Sequence, residues 1–142
     1  MMIFMSDREK VFDFMQKAGV LFLATVKGEK PKNRPIGFRM FVDDQIYFLT
    51  GESKDVNAQM IKNTNVEFVG QAGNEFLRYY GRVIFDADED KALLKKAFEV
   101  MPMLEKLYGD DSEDTAVIFH VDKATAEFRD MFGVKEVFNF LN

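Results

Sequence analysis

Two hydroxyls and a cation gather at one hand-over in this chain. The stretch "LTGESKDVNAQMIKN" (Leu49–Asn63) ends an apolar run at Leu49 and Thr50, then opens a helical pattern with Ser53 and Lys54. Upstream, "NRPIGFRMFV" (Asn33–Val42) carries Arg34 and Arg39 inside an otherwise apolar segment. A buried cation without a partner is costly, so each arginine needs one. If Asn33–Val42 and Gln45–Thr50 pair as a hairpin, Thr50 returns beside Arg34. A guanidinium, an ammonium, two hydroxyls and the open N–H groups of a helix start would then meet. That inventory suits a phosphate dianion. A plainer assignment also stands: Ser53 as a helix cap, Lys54 solvated, and Arg34 paired with Asp55 or Glu52. Spacing alone leaves both open.

Other chemistries are poorly served. The chain has no cysteine, which rules out disulfides, thiolate metal sites and cysteine nucleophiles. His120, alone in "VIFHV", cannot build the usual zinc site and reads as a structural residue in a strand. "GESKD" sets a serine between a strand and a helix but lacks the second glycine of a nucleophile elbow. "DADEDK" alternates acids like a calcium loop, yet Lys91 stands in the glycine's place and Ala97 in the bidentate glutamate's. "DDSED" reads as a solvated loop, and neither a Walker sequence nor G-x-G-x-x-G occurs. No metal is expected, and no catalytic residue is assigned.

The elements that must position these residues follow from periodicity and punctuation. Ser6 with Glu9 makes a capping box, and Gly19 closes the helix it starts. Val20–Val26, Asn33–Val42 and Gln45–Thr50 read as a three-strand meander with a turn at Asp43-Asp44. A second helix runs from about Ser53 to Asn63, with Gln59 pointing back toward the Arg34, Ser53 and Lys54 cluster as a further ligand-binding candidate. Asn65–Gln71 and Glu75–Ala87 form a hairpin around "AGN". Arg78, Tyr80 and Arg82 alternate onto one face of the second of these strands, opposite Leu77, Tyr79, Gly81 and Val83; one face should meet the core and the other an interface or a ligand. Asp88 caps a third helix, Pro102 interrupts it, and "MLEKLYG" adds helical turns ended by Gly109. Thr115–Val121, "ATAEFRDM" and "VKEVFNF" close the chain as strands. Meanders broken by isolated helices predict an α+β fold: an antiparallel split barrel of about six to eight strands with short flanking helices.

The totals agree. The 142 residues fit one domain spanning 1–142, and 47% hydrophobic with 30% charged residues is a globular profile. A net charge of −5 argues against nucleic acid as a partner, since that needs a basic face. "MMIFMSDREK" turns acidic too early for a signal peptide, and no apolar run reaches about 18 residues. No membrane partner and a cytoplasmic location are therefore expected. Sixteen phenylalanines without a tryptophan point to a β-rich aromatic core, with the methionines filling its gaps.

"RPIGFRMFVDDQIYFLTGESKDV" resembles the pyridoxamine 5′-phosphate oxidase-like, FMN-binding split-barrel family. Arg34, Arg39, Thr50, Ser53 and Lys54 match that family's order of an arginine, a second basic residue, a strand ending in threonine, and serine with a basic residue opening a helix. "LRYYGRVIFD" is similar to its next long strand, and "MPMLEKLYG" to the branch of nitroimidazole-resistance reductases. The resemblance implies FMN as cofactor, bound at a homodimer interface, with the phosphate on Arg34, Ser53 and Lys54. It also implies backbone from Pro35 and Ile36, and the strand end at Leu49 and Thr50, against the flavin ring. Asp55 stands where the oxidases carry another basic residue, Phe76 where they carry a flavin-contacting glutamine, and the chain is shorter. The function implied is thus an FMN-dependent oxidoreductase acting on a small electron acceptor, rather than a pyridoxamine phosphate oxidase. The alternatives are a non-catalytic flavin-binding stress protein and a binder of another planar cofactor, haem with His120 as ligand or a deazaflavin.

Overall fold

The computed structural model describes residues 4–142; the reading of the opening residues as no leader falls partly on residues 1–3, outside these. Helix α1 (Asp7–Ala18) starts where the Ser6 side chain accepts from the Glu9 amide, and Gly19 ends it at φ 80 with its N–H on the Met15 carbonyl. Strands β1 (Leu21–Lys27) and β2 (Lys30–Ile36) form a hairpin, as do β3 (Arg39–Val42) and β4 (Gln45–Gly51). Asp43 and Asp44 both take positive φ between Val42 and Gln45, the backbone a two-residue hairpin turn requires. Helix α2 (Asp55–Lys62) leads to the β5 (Asn65–Ala72) and β6 (Glu75–Phe85) hairpin. Helices α3 (Ala92–Val100) and α4 (Leu104–Tyr108) flank Pro102, and β7 (Ala116–Asp130) and β8 (Gly133–Asn139) complete the chain.

The strands make one antiparallel eight-stranded sheet in the order β2-β1-β5-β6-β7-β4-β3, with β8 also on β7. The sheet curls into a half-barrel flanked by the short helices, the α+β split barrel expected from the meander pattern. No helix among the described residues is long and apolar enough to cross a membrane.

Three expectations need correction. Asn33–Val42 is not one strand. It breaks at Gly37–Phe38, and its halves lie at opposite ends of the sheet, so β2 and β4 share no ladder. Pro35 lacks a donor and is tolerated because β2 is an edge strand. Past the break, the Arg39 guanidinium bonds Gln16 Oε1 at 2.7 Å, the Gly37 carbonyl at 3.1 Å, and the Met15 and Gly19 carbonyls. A cation is favourable at that helix C-terminus, so Arg39 fastens β3 to α1. Secondly, "TAVIFHV" and "ATAEFRDM" are one long strand. Lys123 at φ 50 forms a bulge opposite Gly81, which bends the strand without ending it. Thirdly, both later helices begin after the expected residue. α2 starts at Asp55, and α3 starts at Ala92, although Asp88 still accepts from the Leu93 and Leu94 amides at 2.9 and 3.0 Å.

Core packing explains why β4 is buried on both faces. Phe48 stacks on Phe68 at 4.1 Å and on Phe119 at 5.6 Å inside the curled sheet, with Tyr79, Leu21 and Leu23 around them. Its neighbour Leu49 points to the other face, into a second cluster with Ile118, Ala97 and Leu104. Burial on both faces matches the unbroken apolar run in β4. Each aromatic pair adds about 0.5–1.5 kcal/mol beyond its area burial.

Candidate functional site

β3 is shorter than the β4 strand that it pairs with. β3 pairs with β4 only as far as Arg39 opposite Phe48, so Leu49–Gly51 run on without a strand on that side. Their other edge pairs with Ile118, Val117 and Ala116 of β7. A cavity of about 280 Å³ lies here, with Arg34, Pro35 and Ile36 of β2 on one wall and Leu49, Thr50 and Lys54 on the other. The expected neighbourhood of Arg34, Thr50 and Lys54 is therefore present, but sheet curvature makes it rather than a β2–β4 ladder.

Register sets the direction of Arg34. It pairs with Leu23, whose side chain is in the core, so the guanidinium turns inward across the sheet. It donates to Thr25 Oγ1 at 2.6 Å, Gln59 Oε1 at 2.7 Å and the Leu23 carbonyl at 3.2 Å. All three acceptors are neutral, so neither Asp55 nor Glu52 is its ion-pair partner. Burial pulls its pKa below the usual value, and the more distant Asp55 charge opposes that. A half-buried cation held by neutral acceptors keeps its charge available to an anion.

Gln59 is buried and stands behind this arginine. Its Oε1 accepts from both Arg34 and Thr25, the latter at 2.6 Å. It meets the cavity through Arg34 and is not part of the cavity wall itself. Lys54 is exposed at the cavity, belongs to no ion pair among the described residues, and is the N-cap of α2 without a side-chain cap bond. Ser53 is neither the cap nor a cavity wall. Its Oγ donates to Asp114 Oδ2 at 2.8 Å and its N–H to Asp114 Oδ1 at 3.0 Å.

Three participants escaped the sequence reading. Thr25, almost fully buried, is the hydroxyl that locks Arg34 to Gln59. Its signal was available, as the one polar residue on the inward set Leu21, Leu23, Thr25. Tyr108, at the end of α4, forms part of the cavity wall, and burial, then the nearby Asp114 charge, raises its pKa. Asp114 sits in the loop taken for a plain acidic one. No local pattern links either to Arg34. His120 lies outside the cavity, with Nδ1 at 3.0 Å from Asp86 and its ring edge-on to Tyr47, and no metal-binding cluster occurs among the described residues.

No protein-family model and no curated protein matches the chain, but solved structures do. A NimC/NimA family protein from Clostridium acetobutylicum superposes with a TM-score of 0.83 at 25% identity, over 94% of this chain and 92% of that one. A pyridoxamine 5′-phosphate oxidase-related, FMN-binding protein from Nostoc punctiforme gives 0.64 at 18% identity, over 91% and 86%. The chain is a split barrel of the pyridoxamine 5′-phosphate oxidase-like type. A heme-binding protein from Mycobacterium smegmatis has the same split barrel, with a TM-score of 0.70 at 12% identity, over 97% of this chain and 60% of that one. At these last two identities the likeness is one of fold.

Proposed function

We propose that this split barrel is an FMN-binding flavoprotein that uses a reduced nicotinamide to reduce a small electron acceptor in the cytoplasm. One observation carries the reading: Arg34 and Lys54, on separate elements, line the same cavity, and neither is paired with a carboxylate. A phosphate dianion would complete them. In this reading Lys54 and Arg34 hold the phosphate, Thr50 donates to it, and Gln59 with Thr25 keeps Arg34 in place. Pro35, Ile36 and Leu49 offer an apolar wall to a planar ring. When bound, FMN supplies the redox chemistry, and the chain binds, orients and shields it. An FMN-binding protein of the same fold supports the choice of cofactor, while the reaction class rests on the resemblance of "MPMLEKLYG" to the nitroimidazole-resistance branch.

The cavity's size leads to a dimer. About 280 Å³ lies below the usual range for a small-molecule pocket, roughly 300–1,000 Å³. A second copy of the chain, in this reading, supplies further wall for a tricyclic ring with a phosphate chain. The outer sheet face offers a row for it: Pro35, Phe22, Val69, Arg78, Glu127 and Val137 lie side by side across six strands. Phe22 and Val137 are 47% and 44% exposed there.

Anaerobic mixing of the FMN-loaded protein with NADH or NADPH, followed by a nitroaromatic acceptor, tests the reaction. Bleaching and recovery of the flavin absorbance support the oxidoreductase. A bound flavin that never bleaches leaves a carrier. Haem is the second reading, favoured by the heme-binding neighbour, with the Asp86-oriented His120 as its ligand; a Soret band would select it.

A further inference from the structure

We propose that Asp114, outside the cavity, is a positioning residue for Lys54 and thereby sets selectivity for phosphorylated over unphosphorylated flavin. The inference rests on the FMN reading above. Its carboxylate gathers the turn before α2: Oδ1 accepts from the Ser53 amide at 3.0 Å and the Thr115 amide at 2.9 Å, and Oδ2 from the Ser53 hydroxyl at 2.8 Å. Two backbone bonds tie the same turn down, Glu52 N–H to the Thr115 carbonyl at 2.8 Å and Lys54 N–H to the Gly51 carbonyl at 3.1 Å. Lys54 is the next residue along, so the latch on Ser53 fixes where its side chain departs.

Gly51 is the independent witness. A Cβ there would sit 2.1 Å from Asp114 Oδ2 and 3.1 Å from the Tyr108 ring. The bare backbone at the end of β4 is what lets the carboxylate approach, with the Tyr108 ring of the cavity wall beside it. The Ser53 hydrogen bond, ahead of the two backbone bonds and the Lys54 charge, holds the Asp114 carboxyl below its usual range despite some desolvation. The latch therefore stands at neutral pH.

The chemical consequence concerns Ser53. A hydroxyl has one proton, and here Asp114 takes it. Ser53 cannot donate to a phosphate while that bond lasts. Ser53 and Asp114 act on the anion only through Lys54, as one unit. A carboxylate near an anion seat also repels it, and the positioning effect must exceed that repulsion.

The test is a titration of FMN and of riboflavin against wild type, Asp114→Asn, Ser53→Ala, the double variant and Gly51→Ala, read by flavin fluorescence with thermal unfolding alongside. Asp114→Asn is expected to weaken FMN about tenfold, the loss of one charge-assisted contact, and to leave riboflavin unchanged. Ser53→Ala should do the same, and the double variant should be no worse than either, because one latch is broken once. Gly51→Ala should reproduce the effect by pushing the carboxylate away. Ser53→Ala removes a single exposed oxygen and keeps the test open should Asp114→Asn unfold. Equal losses for both flavins would show mere scaffolding and overturn the proposal. So would tighter FMN binding, which marks Asp114 as a competing anion, or an additive double variant, which puts Ser53 directly on the phosphate. Wild type that binds neither flavin overturns the FMN reading and this one together, whereas wild-type binding with unaltered selectivity in the variants overturns this one alone.

Discussion

Lys54→Ala separates ligand binding from folding better than any other change at the cavity. The side chain is exposed, forms no ion pair among the described residues, and caps α2 through its backbone alone. Its loss should leave stability within about 0.5 kcal/mol of wild type. For FMN the variant forfeits a charge-assisted contact worth roughly 1.5–3 kcal/mol. At 1.4 kcal/mol per tenfold, affinity should fall roughly ten- to hundredfold. Riboflavin, without the phosphate, should bind both proteins alike. An exposed cation is also screened, so the difference should narrow between low salt and about 1 M salt. Arg34→Ala cannot give so clean a result. It removes three hydrogen bonds and leaves buried Gln59 Oε1 with Thr25 alone, so fold and affinity change together. Fluorescence titrations of both flavins at two salt concentrations provide the measurement. An FMN-to-riboflavin ratio that Lys54→Ala does not alter would refute the phosphate seat as built here.

Arg39→Ala should cost about 2–4 kcal/mol in urea unfolding, because it strips the α1 carbonyls of Met15 and Gly19 of their cation; a loss under about 1 kcal/mol would deny that this arginine joins β3 to α1. Burial raises the fully buried Tyr79 from 10 to about 12, with Arg8 opposing, so the folded form keeps its proton where the unfolded chain gives it up. Stability present below pH 10 should then be lost as pH rises toward 12, by roughly 3 kcal/mol in all, and Tyr79→Phe should flatten that limb without weakening the protein at neutral pH. Phe22→Glu, at a half-exposed site between Pro35 and Val69, should turn a dimeric mass into a monomeric one by light scattering with little change in monomer stability; a dimer that persists would move the interface elsewhere.

What could be read from the sequence was local. The Ser6 helix cap, the Asp43-Asp44 turn and the strands Gln45–Gly51 and Glu75–Phe85 appear as their residue patterns announce, because each is set by neighbours within a few positions. The split of Asn33–Val42 was hidden because its cause is distant: Arg39 seeks carbonyls at the end of α1. Arg34, Thr50 and Lys54 were legible as a group, since a cation in an apolar strand and an uncapped helix start each pose an unmet electrostatic need. Ser53 was misplaced for the same reason that Asp114 was missed. Their bond spans a stretch of chain that no periodicity connects. Tyr108 reaches the cavity only because α4 folds back over β4, which the pattern "LEKLYG" does not reveal.

The most direct measurement is the absorption spectrum of the purified protein after incubation with FMN and removal of the excess, together with the mass of whatever chromophore heat releases. A bound oxidised-flavin spectrum and a released mass equal to that of FMN are what Arg34 and Lys54 demand. A protein that emerges colourless, or that carries a Soret band in place of flavin, would contradict the anion seat at the barrel's split.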